Sequence, residues 1–277
     1  MFRLTEEQKL VRQAAREFAE RYCAPIAAEI DEAARWPAES VAAMAQLDLM
    51  GIPFPEEYGG AGADTLSYIL AVEEISRVCA STGVILSAHT SLATWPIYQF
   101  GSEDVKRRYL PKLCSGEWLG AFCLTEAGAG TDAAAQTTTA VRDGDHYVLN
   151  GTKVFITNGG KADVLIVFAM TDKSQGTRGI SAFVVEKSYP GVSVGNEESK
   201  MGIRGSNTTE ILLKDVRVPA GNLLGKEGQG FKIAMMTLDG GRIGIAAQAL
   251  GIAQAALEES VKWARERKQF GRPIAAN

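Results

Sequence analysis

Residues 146–157 read HYVLNGTKVFIT, a stretch dominated by Val, Ile, Phe, Tyr and Thr and free of proline. β-Branched and aromatic residues at this density suit a pleated, half-buried surface, so the stretch predicts strand. Asn150-Gly151 inside it is a hairpin signal, because both residues tolerate the positive φ that a tight two-residue turn demands. Three similar runs follow between turn-forming residues: VLIVFAMT (164–171), ISAFVVE (180–186) and EILLKDVRVP (210–219). With no helical pattern between them, these strands predict a small antiparallel barrel or sandwich over roughly 120–225.

Outside that module the period changes. From Thr5 to about Cys114, apolar residues recur at helical spacing, first Leu10, Ala14, Phe18 and Tyr22, then Val41, Met44 and Leu47. Thr5 stands three residues ahead of Gln8, a pairing that starts a helix. Residues 52–64, IPFPEEYGGAGAD, are too rich in Pro and Gly for a helix interior and predict a long ordered loop. Beyond Gly230, small and apolar residues return at helical spacing through Trp263, and the sequence stops at PIAAN with one helix begun and nothing for it to pack against. Such a helix needs partners, so a truncated third domain is expected. The organisation is α+β: a helical domain over 1–119, an antiparallel β-barrel domain over 120–228 and the start of a helical domain over 229–277.

Bulk properties exclude several classes. A net charge of −4 disfavours a general nucleic-acid binder, although a local basic site for one phosphorylated ligand stays open. The four cysteines, Cys23, Cys79, Cys114 and Cys123, are scattered without CxxC pairs or histidine neighbours, so they predict reduced structural thiols and no metal site. No signal-peptide run opens the chain, and residues 243–257 are too short and too broken by glutamine to span a bilayer, which makes the cytoplasm the expected location.

The glycine patterns are weak taken singly. Gly128-Ala-Gly130 lacks the third glycine and the strand-turn-helix context of a dinucleotide fingerprint, and GNLLGKEG (221–228) has Glu227 where a P-loop needs Ser or Thr. Neither His89 nor His146 sits in a triad-like context, so both read as surface or core residues.

Five motifs in order carry more. CLTEAGAGTD (123–132), KVFITNG (153–159), MGIRGSNTTEILLKDVRVP (201–219), TLDGGRIGIAAQALG (237–251) and ARERKQFGRPI (264–274) closely resemble the acyl-CoA dehydrogenase family over essentially the whole chain. The resemblance implies FAD held against the middle domain by Phe122, Cys123, Leu124 and Thr125 from one segment and Phe155, Ile156 and Thr157 from another. Phe122, Leu124 and Phe155 suit the flat apolar face of an isoalloxazine ring, and Thr125 and Thr157 suit its heteroatoms. Phe155 stands where many relatives have Trp, which keeps aromatic surface and loses an indole donor. Thr131 matches a residue near the flavin pyrophosphate and the pantetheine arm, which gives the adjacent glycines a reason. Asp239 and Arg242, three apart on a helix face, match the pair that holds CoA, although an exposed ion pair reads the same. Thr177 and Arg178 fall at a further CoA-contact position. Arg267, Gln269 and Phe270 match residues that reach the FAD of a neighbouring subunit, which implies a homotetramer.

The resemblance also implies the chemistry: a glutamate takes the α-proton of an acyl-CoA thioester while the β-hydrogen leaves as hydride, giving the trans-2-enoyl product. Some relatives carry that base at the position held here by Gly241, and others carry it further toward the C-terminus, so no catalytic base is expected within these 277 residues. Glu126 reads as structural. AHTSLATWPIYQFGS (88–102), with bulky Trp95 beside Pro96, resembles the short-chain, butyryl-type branch. Electron-transfer flavoprotein is the implied electron acceptor. Two readings stay open beside this one: an acyl-CoA oxidase or flavin monooxygenase relative, and a non-catalytic CoA- or FAD-binding assembly protein.

Overall fold

The computed structural model describes residues 3–276. Its helical layer comprises α1 (Glu6–Phe18), α2 (Ala27–Glu32), α3 (Ala38–Gln46), α4 (Thr65–Val78), α5 (Ala80–Ser87), α6 (Trp95–Phe100) and α7 (Glu103–Cys114). α1 begins with a reciprocal cap: Gln8 N donates to Thr5 Oγ1 at 3.2 Å, and Thr5 N donates to Gln8 Oε1 at 3.0 Å. A π-helical turn, Ala88–Thr94, joins α5 to α6. The 52–64 loop is ordered by its own backbone, with Ala61 N donating to Gly51 O at 3.1 Å and Gly62 N to Phe54 O at 2.8 Å.

The sheet comprises β1 (Gly120–Cys123), β2 (Thr139–Asp143), β3 (His146–Thr157), β4 (Val164–Met170), β5 (Ile180–Glu186), β6 (Val192–Glu197), β7 (Thr208–Pro219) and β8 (Leu223–Leu224). Their order is β6-β7-β3-β2-β4-β5-β8, with β1 beside β4. Pairing is mostly antiparallel, as expected, but β1 runs parallel to β4, and β2 meets β4 through one parallel pair, Thr139 with Met170. The sheet folds across itself so that Tyr147 of β3 meets Phe183 of β5 with ring centroids 4.9 Å apart. β4 explains its uninterrupted apolar run: alternate side chains enter this inner core (Leu165, Val167, Ala169) and a second core shared with the helices (Val164, Ile166, Phe168), so both faces are buried.

The expected hairpin at Asn150-Gly151 is corrected. β3 runs straight through both residues, and the tight turn lies earlier, at Gly144-Asp145, where Asp143 pairs with His146. Gly151 is required by close approach, because a Cβ there would sit 2.3 Å from Thr138 Oγ1. Asn150 instead secures a bulge on β7: its Oδ1 accepts from Asp215 N at 2.9 Å, and Asp215 adopts φ 53°.

Helix α8 (Gly230–Glu266) crosses back over the helical layer, and the expectation that it has nothing to pack against is corrected. From Gly241 onward its buried stripe includes Gly241, Gly244, Ala247 and Gly251, small enough for α4 and α5 to come close, and Gln248, which donates to Ala80 O at 2.8 Å, whereas Ile245, Leu250, Leu257 and Trp263 face outward and exposed. A short hairpin, β9 (Lys268–Gln269) with β10 (Arg272–Pro273), follows it. Among the described residues no helix is long and apolar enough to cross a membrane.

Candidate functional site

Where the sheet meets the helices lies an open cleft of about 310 Å³. It is lined by Phe122, Leu124 and Thr125, continuing through Gly130, Thr131 and Ala133, and by Phe155, Ile156 and Thr157, whose segment lies beside the first through the hydrogen bond from Val154 N to Thr125 O at 2.9 Å. Ala88 and Leu92 of the π-helical turn and Met235, Leu238 and Arg242 of α8 close the remaining side.

Phe155 is the most unusual of these residues. Three steps on β3, Lys153 to Ile156, span two on β7, Ile211 to Thr209, so one extra residue is inserted. Phe155 takes φ 58°, a left-handed conformation uncommon for an aromatic residue, and leaves its ring 61 % exposed toward the cleft. The hydroxyls of Thr125 and Thr157 engage no other group of the described chain. Gly128 and Gly130 have negative φ and open space where a Cβ would stand, so the chain's own packing requires glycine at neither.

Behind the cleft, Lys153 and Glu126 form a buried ion pair at 2.8 Å. Burial works against the Glu126 carboxylate, but the Lys153 ammonium and the hydrogen bonds it accepts outweigh this and hold its pKa at about 2. Burial lowers the Lys153 pKa while Glu126 pulls it back up. Glu126 is thereby fully engaged, in keeping with its structural reading. His89, on the π-helical turn, is buried and bridges the layers: its Nδ1 accepts from Gly120 N at 3.1 Å, and its Nε2 donates to Leu113 O at 3.0 Å. A backbone N–H only donates, which fixes the tautomer.

Of the residues singled out from sequence, the cleft brings together Phe122, Leu124, Thr125, Thr131, Phe155, Ile156, Thr157 and Arg242. Cys123 points to the other side of β1, into the inner core of the sheet. Asp239 pairs with Arg242 at 2.6 Å, both largely exposed. Thr177 and Arg178 lie exposed on the 3-10 stretch Lys173–Gly179, outside the cleft lining. Arg267, Gln269 and Phe270 stand exposed beyond the end of α8, also away from it. Trp95 lines a second, smaller apolar cavity of about 80 Å³ with Phe54, Tyr68, Ile69 and Ile243. Sequence reading missed Lys153, since nothing in KVFIT marks its lysine as buried.

Models of the acyl-CoA dehydrogenase N-terminal, middle and C-terminal domains match residues 5–117, 121–216 and 228–277. The chain belongs to the acyl-CoA dehydrogenase family. It is similar to the short-chain specific acyl-CoA dehydrogenase of Clostridium acetobutylicum, with 61 % identity over 99 % of this chain and 72 % of that protein. Among solved structures it resembles one described as an electron transferring flavoprotein of Acidaminococcus fermentans, with TM-score 0.99, 57 % identity and coverage of 100 % of this chain and 73 % of that one. It likewise resembles butyryl-CoA dehydrogenase from Megasphaera elsdenii, with TM-score 0.97, 51 % identity and coverage of 99 % and 73 %.

Proposed function

We propose that this chain provides the FAD and acyl-CoA cradle of a dehydrogenase that desaturates short-chain acyl-CoA thioesters. The observation that carries the reading is Phe155, held exposed in a left-handed bulge in a lining it shares with Leu124, with free hydroxyls at Thr125 and Thr157. These residues fit a flavin: an apolar slot for a flat ring, edge hydroxyls for its heteroatoms and, at Gly128 and Gly130, bare backbone beside open space. FAD, when bound, supplies the acceptor for the β-hydride.

The protein's part is to orient and shield. Phe122, Leu124 and Phe155 would shield the ring from water, Thr125 and Thr157 would offer hydroxyls to its heteroatoms, and Thr131 would meet the pyrophosphate and pantetheine. Arg242, steadied by Asp239, holds the CoA moiety, and Thr177 and Arg178 extend that contact. Among the described residues no carboxylate lines the cleft, and Glu126 is consumed by Lys153. We therefore place the glutamate that takes the α-proton outside these 277 residues. Exposed Arg267, Gln269 and Phe270 would meet the cofactor of a neighbouring subunit in a homotetramer, with electron-transfer flavoprotein as acceptor. Four free, buried cysteines fit a reducing compartment, and we place the protein in the cytoplasm.

Flavin fluorescence quenching tests the cradle directly. Phe155→Ala is expected to weaken FAD binding about tenfold. Gly130→Ala, whose added Cβ meets nothing of the chain within 4 Å, is expected to leave the melting temperature unchanged and weaken binding of FAD or acyl-CoA. Parent-like affinity for FAD and butyryl-CoA in both variants would contradict the assignment.

A further inference from the structure

The Lys153–Glu126 pair is poorly explained as a source of stability. Two charges are withdrawn from water, Lys153 wholly and Glu126 to 6 % exposure, and a well-packed apolar pair of similar volume commonly stabilises a fold as well or better. What an apolar pair lacks is direction. The three protons of Lys153 Nζ go to three acceptors: Leu124 O at 3.1 Å, Glu126 Oε1 at 2.8 Å and Gln136 Oε1 at 3.2 Å. The Glu126 carboxylate in turn accepts from Thr137 N at 2.6 Å, Thr137 Oγ1 at 2.8 Å and Thr138 N at 3.0 Å.

The stretch from 124 to 138 needs such tethers. Between β1 and β2 it has little ladder of its own, only the Glu126–Ala129 bridge and the short turn Ala133–Ala135. Two tethers, at Leu124 and Glu126, flank the cleft residue Thr125. Leu124 precedes Thr125, whose carbonyl accepts from Val154 N at 2.9 Å, and Lys153 stands two residues before Phe155 at the start of the bulge.

Resting on the flavin reading above, we infer that Lys153 and Glu126 are a positioning pair for the cofactor: from behind the cleft they hold the 124–126 and 153–155 segments in register and keep Phe155 in its left-handed, exposed conformation. Lys153 has no exposed surface and acts through the backbone it grips.

The test uses the whole chain and the double substitution Lys153→Met with Glu126→Gln, which removes both charges at similar volume. The double variant is expected to unfold cooperatively within about 5 °C of the parent. Its FAD affinity, read by fluorescence quenching, is expected to fall at least about tenfold. Without FAD, amide exchange is expected to accelerate across 124–137 and 153–157 while α4 and α8 keep parent rates. A double variant with parent affinity and parent exchange overturns the inference while leaving the flavin reading intact. A parent chain that binds no FAD overturns both. Should the double variant fail to fold, Glu126→Asp keeps the charge and withdraws the carboxylate by one methylene: several-fold weaker FAD binding supports the pair's role, and an unchanged affinity overturns it.

Discussion

Between pH 6.5 and pH 4 the folded chain is expected to lose about 3 kcal/mol of stability through His89 alone. Burial lowers the His89 pKa to about 4, against a partly opposing hydrogen bond to the Leu113 carbonyl. The folded chain therefore keeps the ring neutral while the unfolded chain protonates it near pH 6.5. The sign follows: the stability is fully present above pH 6.5, decays as pH falls and is gone once pH drops below the folded value. Protonation would also set an Nδ1–H against Gly120 N, which occupies that position as a donor. His89→Leu should flatten this limb of the profile. At pH 7 it should cost about 3 kcal/mol, since Gly120 N and Leu113 O are left unpaired in the interior. Urea unfolding at half-unit pH steps measures both effects, and a variant with the parent's slope between pH 6.5 and 4 contradicts the account. Further decline below pH 4.5 comes from Glu126, whose folded pKa of about 2 lies under its ordinary value, so it persists in the His89 variant.

Gly251→Ala is expected to destabilise the chain, and Gly240→Ala, eleven residues earlier on the same helix, to stabilise it. A Cβ at Gly251 would stand 2.3 Å from Glu73 O and 2.9 Å from Arg77 N, both backbone atoms of α4, which cannot turn aside as a side-chain tip can. Overpacking of about 3 kcal/mol against a helix-propensity gain of about 1 kcal/mol leaves a net loss near 2 kcal/mol. A Cβ at Gly240 meets nothing within 4 Å, so the propensity gain of about 1 kcal/mol stands alone there. Chemical denaturation of the two variants should show them separated by about 3 kcal/mol. Equal shifts would mean that α8 and α4 are not in backbone contact at Gly251.

Which parts of this were legible in the sequence depends on how local their causes are. The Thr5–Gln8 cap, the strand runs and the Pro-Gly loop at 52–64 rest on neighbouring residues, and all are present in the structure. Asn150-Gly151 misled because the glycine answers to Thr138 on another strand and the asparagine to Asp215, contacts that no window of sequence contains. From Gly241 onward α8 inverts the usual pattern: Gly241, Gly244, Ala247 and Gly251 are buried while Ile245, Leu250, Leu257 and Trp263 are exposed, because close approach to α4 leaves little room along that stripe. The cleft residues from 122–125 and 155–157 were reached through family resemblance. The bulge that turns Phe155 outward has no signal in KVFIT, where strict alternation would put Phe155 on the same side as buried Lys153.

The central claim, that this cleft is a flavin and acyl-CoA cradle without its own base, is tested most directly by titrating the purified chain with FAD and then, anaerobically, with butyryl-CoA, following the visible flavin absorbance. The account predicts a perturbed flavin band that saturates with FAD and is not bleached by butyryl-CoA. A chain that leaves the spectrum of free FAD unchanged would contradict the cradle, and bleaching would contradict the placement of the base outside these residues.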